Sequence, residues 1–245
     1  MCIRDRVDAA VRASADTVTV VVPYFGYGRQ DRKDQPRVPI SSRVMIDILT
    51  DMGADRIITM DLHSTQIQGF AKIPFDNLYS RSIILESIAS EKFDPKNSVV
   101  LAPDVGSAKM SQGYAKNLGM HFALIDKRRY APNKAEVSHL IGDLDGMDVL
   151  IIDDMIDTAG TLTKAAQMML EHGAKSVRAC CTHPVLSGPA HERISNSVLT
   201  ELVTTDTIPL LKENKKIKIL TVADLFGTVI ENLLSQQSIS KHFIA

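Results

Sequence analysis

Acidic, hydroxyl and glycine residues suited to binding a phosphorylated ligand are concentrated in residues 149–161. Four apolar residues at 149–152, mostly β-branched, predict a strand that is buried on both faces and ends at two aspartates. Apolar residues then recur at helical spacing from 162 to 170, and Gly173 favours a helix end. A strand, a tight polar loop and a helix together present backbone N–H groups and a positive helix end to an anion. The spacing therefore predicts a phosphate-binding loop.

The side chains of this loop indicate which phosphate compound it would bind. Gly160 permits close approach of the backbone, while Thr158 and Thr161 supply hydroxyl donors. Asp153 and Asp154 lie at the carboxyl end of the predicted strand, where open α/β sheets bind their ligands. Because carboxylates suit hydroxyl groups or a metal ion, a sugar phosphate would satisfy both halves of the site. The alternative is an ordinary strand–helix connection in which the acids only start the helix.

A second candidate site lies in residues 24–39, which follow a strand predicted at 17–23. The segment reads Tyr-Phe-Gly-Tyr-Gly-Arg-Gln-Asp-Arg-Lys-Asp-Gln-Pro-Arg-Val-Pro. Aromatic rings can stack on a nucleobase, and the cations at 29, 32, 33 and 37 can neutralise phosphates. The alternative is a solvated loop with incidental charge.

Two further groups have the residue types needed for metal binding and for stabilising phosphoryl charge. A strand predicted at 56–61 would point Asp61 and His63 the same way if it continued that far. Such a pair is usually joined by a hydrogen bond, and as a Mg²⁺ site it would need waters and substrate phosphates. A strand predicted at 122–125 ends in Asp-Lys-Arg-Arg, so the cations at 127–129 either face a transferring phosphate or are merely exposed.

The overall composition limits the kinds of partner. The 245 residues include 28 Lys and Arg against 29 Asp and Glu, so no bulk charge attracts nucleic acid or a membrane surface. The three cysteines have neither metal-ligand spacing nor a disulfide framework, which indicates a reducing compartment. No apolar run approaches the length of a membrane span and no signal peptide opens the sequence, so a cytoplasmic location is expected.

Strands alternate with helices along the sequence, which predicts an α/β fold with a mostly parallel sheet. A turn-rich connection at 66–79 is the best boundary, giving domains at 1–79 and 80–245. Residues 1–6 have no usable pattern and are left out of the fold prediction. The remaining predicted helices lie at 7–15, 41–52, 82–90, 108–118 and 223–235, and the remaining strands at 98–102, 137–142, 176–182, 199–204 and 218–222.

Five segments together carry a family resemblance. They are Tyr-Gly-Arg-Gln-Asp-Arg-Lys-Asp at 27–34, Met-Asp-Leu-His at 60–63, Gln-Ile-Gln-Gly-Phe at 66–70, Asp-Asn-Leu-Tyr at 76–79 and the loop at 153–161. The last resembles the phosphoribosyl pyrophosphate (PRPP) loop of type I phosphoribosyltransferases, which alone indicates only a superfamily. The first is not a phosphoribosyltransferase feature. From about residue 7 to near its C-terminus, the chain resembles the ribose-phosphate pyrophosphokinase family.

This resemblance implies a fold, a reaction and partners. The fold would be two type I phosphoribosyltransferase-like domains with mostly parallel sheets. The reaction would be transfer of the diphosphoryl group of ATP to the 1-hydroxyl of ribose 5-phosphate, giving PRPP and AMP for nucleotide biosynthesis. Mg²⁺ would be the cofactor. The family forms homo-oligomers, hexamers built from dimers, and its small-molecule substrates imply no nucleic-acid or membrane partner.

The resemblance also implies roles for individual residues. Those expected to bind ATP are Arg29, Gln30, Asp31, Arg32, Lys33 and Asp34. Those expected near the metal are His63 and Asp104, with Asp61 and Asp76 as nearby acidic candidates. Lys127 and Arg129 would steady the transferring group, as catalytic residues. Those expected to bind ribose 5-phosphate are Arg129, Asp153, Asp154, Asp157, Thr158, Ala159, Gly160 and Thr161.

The chain departs from the family pattern at its beginning. The family has a strand and loop ahead of anything present here, including residues that complete a neighbouring subunit's ATP site. We therefore expect the first domain to be truncated, and the 245 residues alone to bind the sugar phosphate but make little PRPP. Two alternatives remain at this stage, a phosphoribosyltransferase that consumes PRPP and a non-catalytic regulatory relative.

Overall fold

The computed structural model describes residues 2–90, 93–128, 137–240 and 243. Within these residues the helices are α1 (Ile3–Arg12), α2 (Ser41–Asp51), α3 (Arg81–Ala89), α4 (Ala108–Leu118), α5 (Gly160–Glu171), α6 (Ala190–Asn196) and α7 (Ala223–Leu234). The strands are β1 (Thr19–Val21), β2 (Arg56–Met60), β3 (Phe75–Leu78), β4 (Ser98–Ala102), β5 (His121–Arg128), β6 (Val137–Ile141), β7 (Asp148–Ile156), β8 (Ser176–Pro184), β9 (Glu201–Thr205) and β10 (Ile217–Leu220). Short 3₁₀ helices span Thr65–Phe70 and Pro95–Asn97.

The chain divides into two compact units, and the first comprises Met1–Ser80 and Gly227–Ala245. Among the described residues, its strands β1, β2 and β3 form a parallel sheet in that order. The core forms where Val7 of α1 and Ile46 of α2 join the fully buried Ile57 of the central strand. The apolar faces of the two helices therefore hold the sheet, as the alternation of strands and helices predicted.

The second unit, Arg81–Phe226, contains a larger sheet in the strand order β10-β9-β8-β7-β4-β5-β6, counted over the described residues. Neighbouring strands run parallel except β5 and β6, which are antiparallel. An α/β fold with mostly parallel sheets was predicted, and it is confirmed. Because the strand order runs outward in both directions from β7 and β4, loops at the carboxyl ends of these strands lie where open sheets bind ligands.

The central strand β7 is buried on both faces, as its apolar run predicted. Val149 and Ile151 belong to one core cluster, together with Leu162 of α5. Leu150 belongs to a second cluster, together with Tyr114 of α4. Successive side chains of a strand point to opposite faces, so the two clusters lie on opposite sides of the sheet. The strand is thereby fixed rigidly under the loop that follows it.

The predicted end of this strand was wrong. The apolar run predicted that the strand ends at Asp153 and Asp154, but β7 continues past them to Ile156. The neighbouring strand explains the difference, because β8 continues alongside and pairs His183 with Met155. The ladder of backbone hydrogen bonds therefore carries the strand past the two carboxylates.

A similar extension occurs in β5, which was predicted to end at residue 125. It runs to Arg128 because β6 pairs with it in antiparallel register, placing Asp126 opposite His139 and Lys127 opposite Ser138. Lys127 and Arg128 therefore lie within the strand.

Two predictions in the first unit also need correction. Helix α1 begins at Ile3, inside the residues that were left out of the fold prediction, and the Asp5 carboxylate accepts a hydrogen bond from the N–H of Cys2 at 3.0 Å. The connection at 66–79 contains β3, which pairs with β2, and the compact units divide after Ser80. Among the residues that the structure describes, no helix has the length and apolar character to cross a membrane.

Candidate functional site

The turn between β7 and α5 has the backbone geometry of an anion site. β7 ends at Ile156 and α5 begins at Gly160, which leaves only residues 157–159 for the turn. Ala159 is buried and left-handed, with φ 58°, immediately before the right-handed helix. A left-handed residue followed by helical residues turns successive N–H groups towards one point, and the first N–H groups of a helix have no intrahelical acceptor. The turn is therefore suited to hold a phosphate.

The helix also holds Ala159 in this unusual conformation. The backbone N–H and the hydroxyl of Thr163 both donate to the Ala159 carbonyl, at 3.0 and 2.9 Å. A left-handed conformation costs a residue with a Cβ atom about 1–2 kcal/mol, so surrounding interactions must stabilise it. Such strain is typical of ligand-binding turns.

Residues that follow β8 form hydrogen bonds to the turn between β7 and α5. The N–H of Ser187 donates to the Asp157 carbonyl at 3.1 Å, and its hydroxyl donates to the Asp157 carboxylate. Nη1 of Arg193 donates to the Thr158 carbonyl at 2.9 Å. A Cβ atom on Gly160 would lie 3.2 Å from the same Nη1, which is closer than nearly all real Cβ contacts. Glycine therefore lets the guanidinium lie against the turn.

Sequence reasoning did not identify Ser187 or Arg193. The available signal was the Ser-Gly-Pro run at 187–189, which marks a turn a few residues after the strand predicted at 176–182. Because β8 is parallel to β7, its following turn must lie at the same edge of the sheet as the phosphate loop.

The two aspartates of β7 form an acidic pair beside the turn. Burial raises the pKa of Asp153 to about 8, and the nearby charge of Asp154 and, more weakly, of Asp104 adds to the increase. The N–H of Asp154 donates to Oδ1 of Asp153 at 3.0 Å, which opposes the increase only in part. Asp153 therefore holds its proton to a higher pH than an exposed aspartate does. A protonated carboxyl both donates and accepts hydrogen bonds, and a sugar hydroxyl can match either.

Asp153 pairs in register with Cys181 of β8. Burial raises the pKa of the Cys181 thiol to about 12, so the thiol stays protonated. Its Sγ lies 3.3 Å from Oγ1 of Thr204. Cys181 is thus a core residue beneath the acidic pair and has no nucleophilic character.

The predicted ATP-binding loop lies in the first unit, between β1 and α2. Five of its predicted ligands have exposed side chains, namely Arg29, Gln30, Arg32, Lys33 and Asp34. Asp31 is half-buried and accepts a hydrogen bond from the Ser64 hydroxyl at 2.6 Å. A Cβ atom on Gly28 would lie 3.7 Å from Cβ of His63, in ordinary contact. The structure therefore brings this loop and His63 together, as a nucleotide-binding surface with a nearby metal candidate would require.

The acidic metal candidates of the first unit are engaged in other contacts. β2 ends at Met60 and Asp61 has a positive φ of 40°, so the strand does not continue to His63, as the predicted common direction of Asp61 and His63 required. Oδ2 of Asp61 accepts a hydrogen bond from the N–H of Ser80 at 3.0 Å. Asp76 forms an ion pair with Arg56 across the sheet. Each contact occupies one oxygen of its carboxylate, so the predicted metal role of Asp61 and Asp76 remains a sequence-based expectation.

His63 and Asp104 are the more accessible candidates. Both side chains are exposed. Oδ1 of Asp104 accepts a hydrogen bond from the N–H of Ser107 at 2.9 Å, which orients the carboxylate in the turn after β4. Across the described part of the chain, no three His, Cys, Asp or Glu residues lie close enough together to hold a metal ion by themselves.

Lys127 and Arg129 were predicted to face the transferring group. Lys127 lies in β5, paired in register with Ser138. Arg129 lies outside the described residues, so its predicted role remains a sequence-based expectation.

Comparisons with known proteins cover nearly the whole chain. Residues 76–210 match the family described as "Phosphoribosyl transferase domain". Residues 4–53 match the family described as "N-terminal domain of ribose phosphate pyrophosphokinase". The second match includes helix α1, the predicted ATP-binding loop and helix α2.

Individual relatives agree with these matches. A "Ribose-phosphate pyrophosphokinase" of Campylobacter jejuni is 47% identical over 237 residues, covering 97% of this chain and 76% of the relative. One of Clostridium tetani is 49% identical over 240 residues, covering 97% and 75%. The crystal structure of phosphoribosylpyrophosphate synthetase from Mycobacterium smegmatis has a TM-score of 0.89 and 34% identity, covering 95% of this chain and 76% of that one.

Proposed function

Because the chain belongs to the ribose-phosphate pyrophosphokinase family, we propose that it makes PRPP. The reaction transfers the diphosphoryl group of ATP to the 1-hydroxyl of ribose 5-phosphate and releases AMP, and its product serves nucleotide biosynthesis. The observation that carries this proposal is the anion-binding turn at the start of α5, directly beside an acidic pair on β7. This arrangement suits a sugar that carries both a phosphate and free hydroxyl groups.

The turn would bind the 5-phosphate of the sugar. Residues 157–161 offer backbone N–H groups at the positive end of α5, and the hydroxyls of Thr158 and Thr161 are exposed for further hydrogen bonds. Asp153 and Asp154 would then bind the ribose hydroxyls, with Asp153 able to donate as well as accept while it keeps its proton. Binding both ends of the sugar fixes the position of the 1-hydroxyl, which lowers the entropic part of the barrier.

ATP would bind to the loop in the first unit. Arg29 and Gln30 are the proposed principal ligands, and the exposed cations Arg32 and Lys33 would attract the triphosphate. The hydrogen bond from the Ser64 hydroxyl to Asp31 holds the middle of the loop, so ATP binding does not have to order the whole loop. We accordingly propose a functional division into residues 1–79, which bind ATP, and residues 80–245, which bind the sugar phosphate.

Mg²⁺ is the proposed cofactor. This ion is usually held by one or two carboxylates together with substrate phosphates and water, and not by an all-protein cage. The exposed imidazole of His63 in the first unit and the exposed carboxylate of Asp104 in the second are each accessible to such an ion, and Asp61 and Asp76 are the nearby acidic candidates in the first unit. When bound, Mg²⁺ neutralises charge on the phosphate oxygens.

Lys127, which lies within β5, and Arg129 complete the proposed chemistry. Attack by the 1-hydroxyl on the β-phosphorus spreads negative charge over non-bridging oxygens, and Lys127 and Arg129 would stabilise that charge. Because the transition state is loose, the hydroxyl loses its proton late and a strong general base is not required.

We further propose that the protein is cytoplasmic and forms a homo-oligomer, a hexamer built from dimers.

Phosphorus-31 NMR of a mixture of the protein, ATP, ribose 5-phosphate and Mg²⁺ tests this function. Two proteins are compared. One is the chain of 245 residues, and the other is a chimera of this chain with the segments of the Campylobacter jejuni relative that have no counterpart in it. We expect the chimera to form PRPP and AMP in equal amounts. Consumption of added PRPP with a nucleobase would instead indicate a phosphoribosyltransferase. Binding of both substrates without turnover by either protein would indicate a non-catalytic relative.

A further inference from the structure

The orientation of one peptide group in the phosphate loop is linked to Arg193. The carbonyl of Thr158 accepts the hydrogen bond from Nη1 of Arg193 at 2.9 Å. In a planar trans peptide the carbonyl and the following N–H point in opposite directions. The N–H of Ala159 therefore points away from the guanidinium. As long as the hydrogen bond persists, this peptide cannot rotate to present its carbonyl, which would repel an anion.

The guanidinium also lies against the first residue of α5. A Cβ atom on Gly160 would be 3.2 Å from Nη1 of Arg193 and 3.7 Å from Oγ1 of Thr158. The cation is thus close to the backbone that forms the anion site, on the side from which the Thr158 carbonyl projects. A positive charge at this distance favours an anion in the loop in addition to fixing its shape.

Other hydrogen bonds hold the opposite end of the turn, at Ile156 and Asp157, and do not reach the Thr158 carbonyl. Ser187 bonds both the carbonyl and the carboxylate of Asp157, and the N–H of Leu186 donates to the Ile156 carbonyl at 3.0 Å. These bonds fix the end of β7. In the described structure the bond from Arg193 is the interaction that reaches the Thr158 carbonyl from outside the turn.

Arg193 contributes little to the packing of its own helix. Ala190 and Ile194 of α6 are fully buried and hold the helix against the sheet, whereas the Arg193 side chain is exposed. The side chain lines an open cavity of about 420 Å³, with Gln167 of α5 and Glu192 among the other lining residues. Removing the guanidinium should therefore disturb the loop and leave α6 in place.

We propose that Arg193 is a positioning residue for the sugar phosphate. It acts through the Thr158 carbonyl and holds the N–H groups of the turn in the orientation that binds the 5-phosphate. The proposal rests on the proposed function, because it assumes that this turn binds ribose 5-phosphate. On this proposal, part of the loop's affinity for ribose 5-phosphate comes from Arg193, a side chain outside the loop.

Isothermal titration calorimetry with ribose 5-phosphate tests the proposal without requiring turnover. We expect Arg193→Ala to raise the dissociation constant about tenfold or more, because a charge-assisted hydrogen bond is lost. ATP binding should not change. Guanidine at a non-denaturing concentration should restore affinity in this variant, since the open cavity admits it, and Arg193→Lys should recover affinity in part. Glu192→Ala is the matched control, as its side chain is adjacent and equally exposed, and it should bind like the wild type.

The outcomes separate the two claims. If wild-type protein binds ribose 5-phosphate and Arg193→Ala binds it equally well, the positioning role is refuted while the proposed function stands. If wild-type protein does not bind ribose 5-phosphate, both are refuted. A variant that loses affinity together with folded structure, with no recovery by guanidine or by Arg193→Lys, would show a purely structural residue and would also overturn the proposal.

Discussion

We predict that the free energy of unfolding of the wild-type protein falls as the pH rises, and that replacing Asp153 by asparagine removes this fall. An unperturbed aspartate has a pKa of about 3.9, and burial beside Asp154 raises that of Asp153 to about 8 in the folded chain. Below about pH 4 both states bind the proton, so the residue has no effect. Above that value the unfolded chain releases the proton while the folded chain keeps it. The free energy of unfolding therefore falls as the pH rises towards 8.

The slope follows from proton linkage. One proton held only by the folded state changes the free energy of unfolding by at most about 1.4 kcal/mol per pH unit. Between about pH 5 and pH 7 the wild-type protein should therefore lose up to roughly 3 kcal/mol through this residue. Asparagine keeps the side-chain carbonyl that accepts the hydrogen bond from the N–H of Asp154, and it cannot ionise. The free energy of unfolding of the Asp153→Asn variant should therefore lack this dependence on pH.

Urea unfolding at several pH values, in metal-free buffer without substrate, measures the effect. The stability difference between Asp153→Asn and wild type should increase steadily in favour of the variant over this range. Asp16→Asn, at an exposed position in the first unit, is the control and should give a constant difference. Parallel curves for wild type and Asp153→Asn would refute the reasoning, as would a carboxyl carbon-13 titration of Asp153 with a midpoint near 4.

Two further variants test the division of roles in the site. Asp157→Ala should weaken ribose 5-phosphate binding by about 1.5–3 kcal/mol, because a charged group that holds the turn is lost; an unchanged KM for the sugar and unchanged kcat would contradict this. Lys127→Ala should lower kcat about a hundredfold with little change in either KM, since the proposed contact forms with charge in the transition state. Steady-state kinetics on the active protein decides both, and a Lys127→Ala variant with most of its turnover would show only a surface cation.

The sequence predicted the main features of the second unit because they depend on local pattern. The apolar run at 149–152 marked a strand buried on both faces, and the helical spacing after it marked α5. The residue types in between indicated an anion site. Each of these signals arises within a few residues of the element it describes.

What the sequence could not show depends on neighbours that are distant in the chain. β7 extends past Asp153 because β8 continues beside it, and the pKa of Asp153 follows from burial that no local pattern reports. Alanine has no preference for the left-handed conformation, so nothing local indicated it at Ala159. Arg193 is 35 residues from Thr158, and only the parallel pairing of β7 and β8 brings their loops to one edge of the sheet.

The fate of a label in the β-phosphate of ATP tests the central claim most directly. The active protein would be incubated with β-labelled ATP, ribose 5-phosphate and Mg²⁺, and the nucleotide and sugar products separated. Transfer of the whole diphosphoryl group predicts labelled PRPP and unlabelled AMP in equal amounts. Label retained in ADP, with a sugar that has gained a single phosphate, would contradict the account.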